Sequence, residues 1–178
     1  MRLIKFLLPS ALIFTVACDL YDNSELNPRD IDSNLTPGLV FDPVSRTAPV
    51  GAAAEFEVYV VAAENLSGVH AQVSYDPNRL SVSNVTTGDF FVDSVQTGQS
   101  SFFIYDDDPV AGVLDINYFY MGNEINKTGT GKIATILFNT KQSIDETVLE
   151  ITDASELVDE DDVDIQILTK GTATVKTN

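Results

Sequence analysis

From residue 38 onward, apolar and polar residues alternate with a period of two in one run after another, and Gly, Pro, Asn or Asp closes most runs. Successive side chains of a strand point to opposite faces, so this alternation marks strands with one buried face. Over 54–63, Phe56, Val58 and Val60 share one side, with Glu55, Glu57 and Tyr59 on the other. In the next run Val69, Ala71, Val73 and Tyr75 oppose Gly68, His70, Gln72 and Ser74, and Asp76-Pro77-Asn78 ends it with turn chemistry. Over 113–121, Leu114, Ile116, Tyr118 and Tyr120 oppose Val113, Asp115, Asn117 and Phe119. Residues 38–46 read as an edge strand because Pro43 cannot donate to a ladder. Further strands are expected around Val82 and Val85 and over 100–105, 132–140, 147–151, 164–168 and 172–176. About nine short strands with no convincing helix predict an all-β fold, two packed antiparallel sheets in a sandwich.

The start of the chain follows another rule. Arg2 and Lys5 precede an apolar run too short to cross a bilayer as a mature helix, so residues 1–17 read as an export signal. Cys18 is the only cysteine of the chain, and Thr15-Val16-Ala17-Cys18 resembles the lipobox of bacterial lipoproteins, in which the cysteine becomes lipidated. Residues 19–37 are polar, contain Pro28 and Pro37 and show no periodicity, so 18–37 is expected to be a lipid-bearing tether. The remaining 38–178 form one domain, large enough for a sizeable core. These readings together place the protein outside the cytoplasm, lipid-anchored on a bacterial envelope, with the lipid as its one contact with membrane.

Charge narrows the functions. The 178 residues carry a net charge of −17, and loss of Arg2 and Lys5 with the leader makes the remainder more acidic still. Nucleic acid is excluded as a partner and anionic lipid headgroups are repelled. With His70 as the only histidine and no Gly-x-Ser-x-Gly turn, a nucleophilic triad has no base, so no catalytic residues are assigned. Asp115 could belong to a glycosidase pair but reads more simply as part of a solvated strand face. A zinc site lacks ligands, and the acidic stretch 159–164 fails the calcium-loop pattern because Val163 and Asp164 fall where a ligand and Gly are needed. It reads as an acidic hairpin loop; no metal and no cofactor are expected.

Four landmarks resemble the cohesin domains, bacterial modules that bind dockerins. They are the small-residue strand ending in Tyr75-Asp76-Pro77-Asn78 before Leu80-x-Val82, the Val50-Gly51 approach to a valine-rich strand, the run Gly129-x-Gly131-x-x-Ala134-Thr135-Ile136-x-Phe138, and the closing Gly171-Thr172-Ala173-Thr174-Val175. Together they cover roughly 38–176. The resemblance implies a nine-stranded jelly-roll sandwich, an architecture shared with some carbohydrate-binding modules, and a monomer whose partner is a dockerin-like module that carries any calcium itself. It also implies that one sheet face, including the strands at 66–75, 100–105, 113–120 and 132–140, is the docking platform. With Ala134, Ile136 and Phe138 inward, Ile133, Thr135 and Leu137 would join Gly68, His70, Gln72, Val113, Asp115, Asn117 and Phe119 on that face. Many cohesins carry Asp at the place of His70 and Asn at that of Gly68, which leaves the partner's type open. Two alternatives stand beside this reading. One is a carbohydrate-binding domain, with Tyr59 and Phe119 the candidate stacking aromatics in a chain without Trp. The other is a purely structural envelope lipoprotein.

Overall fold

The computed structural model describes residues 27–91, 100–121, 126–143 and 145–178. The leader and Cys18 lie outside these residues. Twelve strands are present among them: β1 (Gly38–Asp42), β2 (Ser45–Thr47), β3 (Ala53–Leu66), β4 (Gly68–Ser74), β5 (Leu80–Thr87), β6 (Ser100–Asp108), β7 (Val113–Met121), β8 (Lys127–Thr140), β9 (Thr147–Ile151), β10 (Glu156–Val158), β11 (Thr169–Lys170) and β12 (Thr172–Lys176). The helical content of the described residues is one 3-10 turn, Ser33–Leu35. Five strands form one sheet in the order β11-β1-β3-β8-β5. The other seven form the second, in the order β2-β12-β9-β4-β7-β6 with β10 also paired to β4.

The sandwich is all-β as the alternation predicts, but both sheets are mixed rather than purely antiparallel. β11 runs parallel to β1, and β2 parallel to β12. Both parallel pairs join the first strand segment of the chain to the last, and Pro43, which has no N–H to continue a ladder, divides that first segment. The single edge strand expected over 38–46 breaks there into β1 and β2, and the chain passes from one sheet to the other. The three shortest pieces, β2, β10 and β11, raise the number of strands above nine. The strand expected over 164–168 does not form. Asp164 makes an isolated bridge to Val158, and pairing resumes only at Thr169.

The two sheets bury aromatic side chains between them at both ends. Phe56 packs edge-on against Phe41 and Phe138, with ring centroids 6.2 and 6.4 Å apart, and Tyr75 lies 5.4 Å from Phe138. At the other end Phe91 contacts Tyr118 and Tyr120 at 4.9 and 4.7 Å. Tilted and edge-to-face contacts of this kind suit the ring quadrupole and add to the area buried. Phe90 and Phe91 lie on the segment after β5 rather than on a strand, and both are fully buried.

The polar stretch ahead of β1 is held on the domain from Asn27 onward. Arg29 pairs with Asp42 at 3.1 Å and stacks over the Tyr59 ring at 4.7 Å. The Thr169 hydroxyl donates to the Leu35 carbonyl at 2.7 Å, and the Leu168 amide donates to that of Pro37 at 2.8 Å. These contacts are made by hydrogen bonds and one guanidinium rather than by a buried apolar stripe, so no periodicity in the sequence announces them.

Candidate functional site

The candidate site is the outer face of the seven-stranded sheet, across β10, β4, β7 and β6. β4 and β7 pair without a bulge over seven consecutive positions, from Gly68 opposite Phe119 to Ser74 opposite Val113. Strict register keeps the two faces separate over that length. Val69, Ala71, Val73, Leu114, Ile116 and Tyr118 are buried between the sheets. His70, Gln72, Val113, Asp115, Asn117 and Phe119 therefore share the outer face, as their alternation predicts.

β6 extends this face, with Phe102 opposite Phe119, Ile104 opposite Asn117 and Asp106 opposite Asp115. Phe102 and Phe119 form a ring pair at 5.4 Å; with Ile104 they make an apolar corner, 43%, 37% and 50% exposed for Phe102, Phe119 and Ile104. Phe102 and Ile104 are functional candidates that sequence reasoning missed. The run Ser100-Ser101-Phe102-Phe103-Ile104-Tyr105 has no polar alternation from which to choose a face, and only the register with β7 decides it.

The middle of the face is a hydrogen-bonded chain. His70 Nε2 donates to Asp115 Oδ1 at 2.7 Å, and the Gln72 side-chain amide donates to the same oxygen at 3.0 Å. The Thr152 hydroxyl donates in turn to Gln72 Oε1 at 2.7 Å. A shared acceptor fixes both side chains across the strands and leaves little rotamer freedom to lose on binding. Beyond His70, an open groove of about 260 Å³ lies over β4 between β10 and β7, with Val158 and Phe119 on its walls and Glu156, Glu160 and Asp162 around it. Gly68 is buried and forms part of the floor. A Cβ there would lie 2.9 Å from Val158 Cγ2 and 3.3 Å from Phe119 Cβ, so glycine is what lets those neighbours close over the backbone.

Three residues expected on this face are elsewhere. Ile133, Thr135 and Leu137 belong to β8, between β3 and β5 in the five-stranded sheet, and cannot line a surface of the seven-stranded one. Thr135 and Leu137 do lie on an outer face, but on the opposite side of the sandwich, registered with Glu57 and Glu55. Ile133 is wholly buried. Val58 pairs with Ala134 and Tyr59 with Lys132, which leaves Ile133 as the extra residue of a bulge and turns it inward beside Ala134.

That opposite face is electrostatically satisfied. Lys132 Nζ meets Glu57 Oε1 at 2.9 Å, and the Tyr59 hydroxyl donates to Glu57 Oε2 at 2.9 Å. Partial burial pushes the Glu57 carboxyl up, but the bonds from Lys132 and Tyr59 outweigh it and hold it below the usual carboxylate range. The bond to Glu57 raises the Lys132 ammonium above its ordinary value. Arg29 covers Tyr59, which removes one of the two aromatics considered for sugar stacking. The other, Phe119, meets Phe102 at 44° instead of forming a coplanar platform.

In the acidic loop, Asp159 Oδ1 accepts from the amides of Asp161 and Val163, each at 2.9 Å. Among the described residues no three His, Cys, Asp or Glu side chains converge as a metal site requires.

A preorganised sheet face with an apolar corner, a fixed polar centre and an acidic groove defines a β-sandwich recognition module. The chain belongs to the cohesin family, whose domain model matches residues 39–175. Cohesins are non-catalytic modules that bind dockerins. A non-cellulosomal cohesin from the archaeon Archaeoglobus fulgidus is similar in fold, with a TM-score of 0.61 at 18% identity over 79% of this chain and 91% of the other. The cohesin module of a Clostridium perfringens family 33 glycoside hydrolase matches with a TM-score of 0.60 at 20% identity over 80% and 98%. The sixth cohesin of Acetivibrio cellulolyticus scaffoldin B, solved in complex with a mutant Cel5 dockerin, matches with a TM-score of 0.62 at 16% identity over 79% and 98%. A comparison with curated proteins finds no match.

Proposed function

We propose that this chain is an envelope-anchored cohesin that recruits a dockerin-bearing protein, in the service of polysaccharide degradation, through the outer face of β4, β7, β6 and β10. The observation that carries this reading is the apolar corner of Phe102, Ile104 and Phe119, which lies exposed next to the fixed His70, Asp115 and Gln72 chain. An apolar patch ringed by polar groups is the usual form of a partner surface. Recognition is non-covalent: the corner supplies affinity and the polar centre supplies register. Cys18 carries the lipid that holds the module at the envelope.

The test is calorimetry of every dockerin module encoded in the source genome, each expressed singly, against the wild-type domain and the Ile104→Asp and Phe119→Asp variants. At least one module binds wild type, and either substitution weakens it about a hundredfold while the circular dichroism spectrum is unchanged. Binding that survives both substitutions refutes the assigned face. Attachment is tested separately: Cys18→Ser moves the protein from the detergent phase to the aqueous phase of an envelope extract, and an unchanged partition excludes the lipid.

A further inference from the structure

Of the four strands that end the two sheets, three are guarded. β2 and β11 are three and two residues long, and β5 is broken by a register shift between Val82 and Asn84. Short length and bulges are usual means of keeping an open edge from pairing with another chain. β6 has neither. It runs nine residues, Ser100–Asp108, keeps one register with β7 throughout, and contains no Pro, Lys or Arg.

The hydrogen bonds determine which of its backbone groups are open. The Tyr120 amide donates to the Ser67 carbonyl, and Gly68 lies opposite Phe119, so the even-numbered residues of β7 turn their backbone groups toward β4. The odd-numbered ones, Asn117 and Asp115 among them, therefore bond to β6, where they face Ile104 and Asp106. That leaves the N–H and C=O groups of Phe103, Tyr105 and Asp107 pointing away from β7 in the plane of the sheet, and β6 is the last strand in that direction among the described residues. A row of donors and acceptors at two-residue spacing is matched by the backbone of another extended segment. Ile104 on one side of the sheet plane and Tyr105 on the other are 50% and 43% exposed, so an added strand meets apolar surface both above and below.

Charge sets what that segment carries. β6 ends in Asp106-Asp107-Asp108, and among the described residues no Lys or Arg forms an ion pair with any of the three. Asp107 accepts from the Tyr75 hydroxyl, and Asp108 from the amides of Val110 and Ala111, which orders these carboxylates without neutralising them. Asp106 stands directly opposite Asp115, a like-charge pair that a cation would relieve. A second copy of this chain, with a net charge of −17, brings no cation to that end, because its own β6 is neutral apart from the same three acids.

We infer that β6 is a second recognition edge, which takes an extended apolar segment of a partner protein as an added strand, with Lys or Arg beside Asp106 to Asp108. Antiparallel pairing, the slightly more stable arrangement, places those cations in the N-terminal half of the segment. The edge is separate from the docking face proposed above: strand addition uses in-plane backbone groups and needs no dockerin.

In the experiment, a library of random peptides of about ten residues, the upper length of ordinary strands, is panned against the intact protein. Enriched peptides are titrated by calorimetry into wild type and three variants. Tyr105→Pro deletes the central outward N–H at no cost to the ladder with β7, whereas Tyr105→Val keeps that N–H. The third variant combines Asp106→Asn, Asp107→Asn and Asp108→Asn, which removes the charge and keeps the acceptors. Enriched sequences are expected to carry Lys or Arg ahead of a β-branched or aromatic run. Tyr105→Pro weakens their binding at least about tenfold and Tyr105→Val less than about threefold. The triple variant weakens it about tenfold and removes the fall in affinity between about 50 and 500 mM NaCl. In wild type, amide exchange at Phe103, Tyr105 and Asp107 slows when peptide is bound, a reading that does not depend on how any variant folds. No enriched peptide, or peptides that bind Tyr105→Pro as they bind wild type and leave those amides unprotected, overturns the edge. Enrichment without basic residues, indifferent to the triple variant, overturns the charge assignment. Sedimentation as a dimer that Tyr105→Pro splits overturns the partner segment in favour of a second copy.

Discussion

Ile133→Ala tests the point at which strand phase and structure part. Simple alternation along β8 puts residue 133 outside with Thr135 and Leu137, whereas the bulge opposite Val58 and Tyr59 puts it inside with no exposed surface. The substitution removes three carbon groups; at about 0.8 kcal/mol per buried methylene that is roughly 2.4 kcal/mol of lost transfer energy. The cavity left in a packed core adds to it, so a loss of about 3 kcal/mol is expected, within the usual range of roughly 2–5 kcal/mol for such truncations. Leu137→Ala, at a partly buried position on the outer face, costs under about 1 kcal/mol. The chain has no Trp, so urea unfolding is followed by tyrosine fluorescence and far-ultraviolet circular dichroism. With a urea slope of about 2 kcal/mol/M, the Ile133→Ala midpoint falls by roughly 1.5 M. Equal midpoints for wild type and Ile133→Ala, or a larger drop for Leu137→Ala, would show that the strand keeps its phase through residue 133 and that the bulge is wrong.

Gly112→Ala is expected to cost about 3 kcal/mol or to prevent folding, because Gly112 has φ +71° and a Cβ there would lie 2.3 Å from the Tyr75 carbonyl oxygen; the same unfolding measurement checks it. The Glu57 and Lys132 pair predicts a stability difference between wild type and Lys132→Met that depends on pH. The Glu57 carboxyl is depressed, so its contribution is present above the ordinary carboxylate value of 4.5 and fades as pH falls through the lower folded value. The Lys132 ammonium is raised, so its contribution is present below 10.5 and fades as pH climbs past the folded value. The pair is partly exposed and the plateau difference is under about 1 kcal/mol; a difference that grows toward low pH contradicts the assignment. Leu137→Asp, on the far side of the sandwich, leaves dockerin affinity unchanged in the calorimetric assay.

What the sequence discloses here follows from what a period of two encodes. It assigns each side chain to one of two faces, and where a strand pairs without interruption, as β4 and β7 do, that assignment holds for every residue. It does not say which sheet a strand enters. That is why 132–140, correctly read as a strand, joins β3 and β5 instead of β7. A bulge resets the phase, and Lys132-Ile133-Ala134 itself carries no glycine or proline, while the neighbouring Gly131 does not say at which residue the phase changes. Phe102 and Ile104 stayed hidden for the opposite reason, an apolar run with no polar positions to set its phase. The family landmarks were legible because they sit at turns and glycines, where backbone geometry restricts the residue type; the groove was not, because Glu156, Glu160 and Asp162 meet Phe119 only through the pairing of β10 with β4.

The clasp made by Arg29 sets how the module is presented. It lies over Tyr59, on the outer face of the five-stranded sheet, so the arm is held at Arg29 on the side opposite the candidate face. If Cys18 carries the lipid proposed above, nine residue steps separate it from Asn27, which reach no more than about 30 Å even when fully stretched. The proposed lipid would then put the bilayer behind the domain and leave the candidate face looking outward, like the palm of a hand held by the back of its wrist. A pull from the captured partner would load the Arg29 and Asp42 contact before it reached the sandwich. Yielding there would free the arm only as far as Leu35, whose carbonyl the Thr169 hydroxyl still holds, and would leave the core intact.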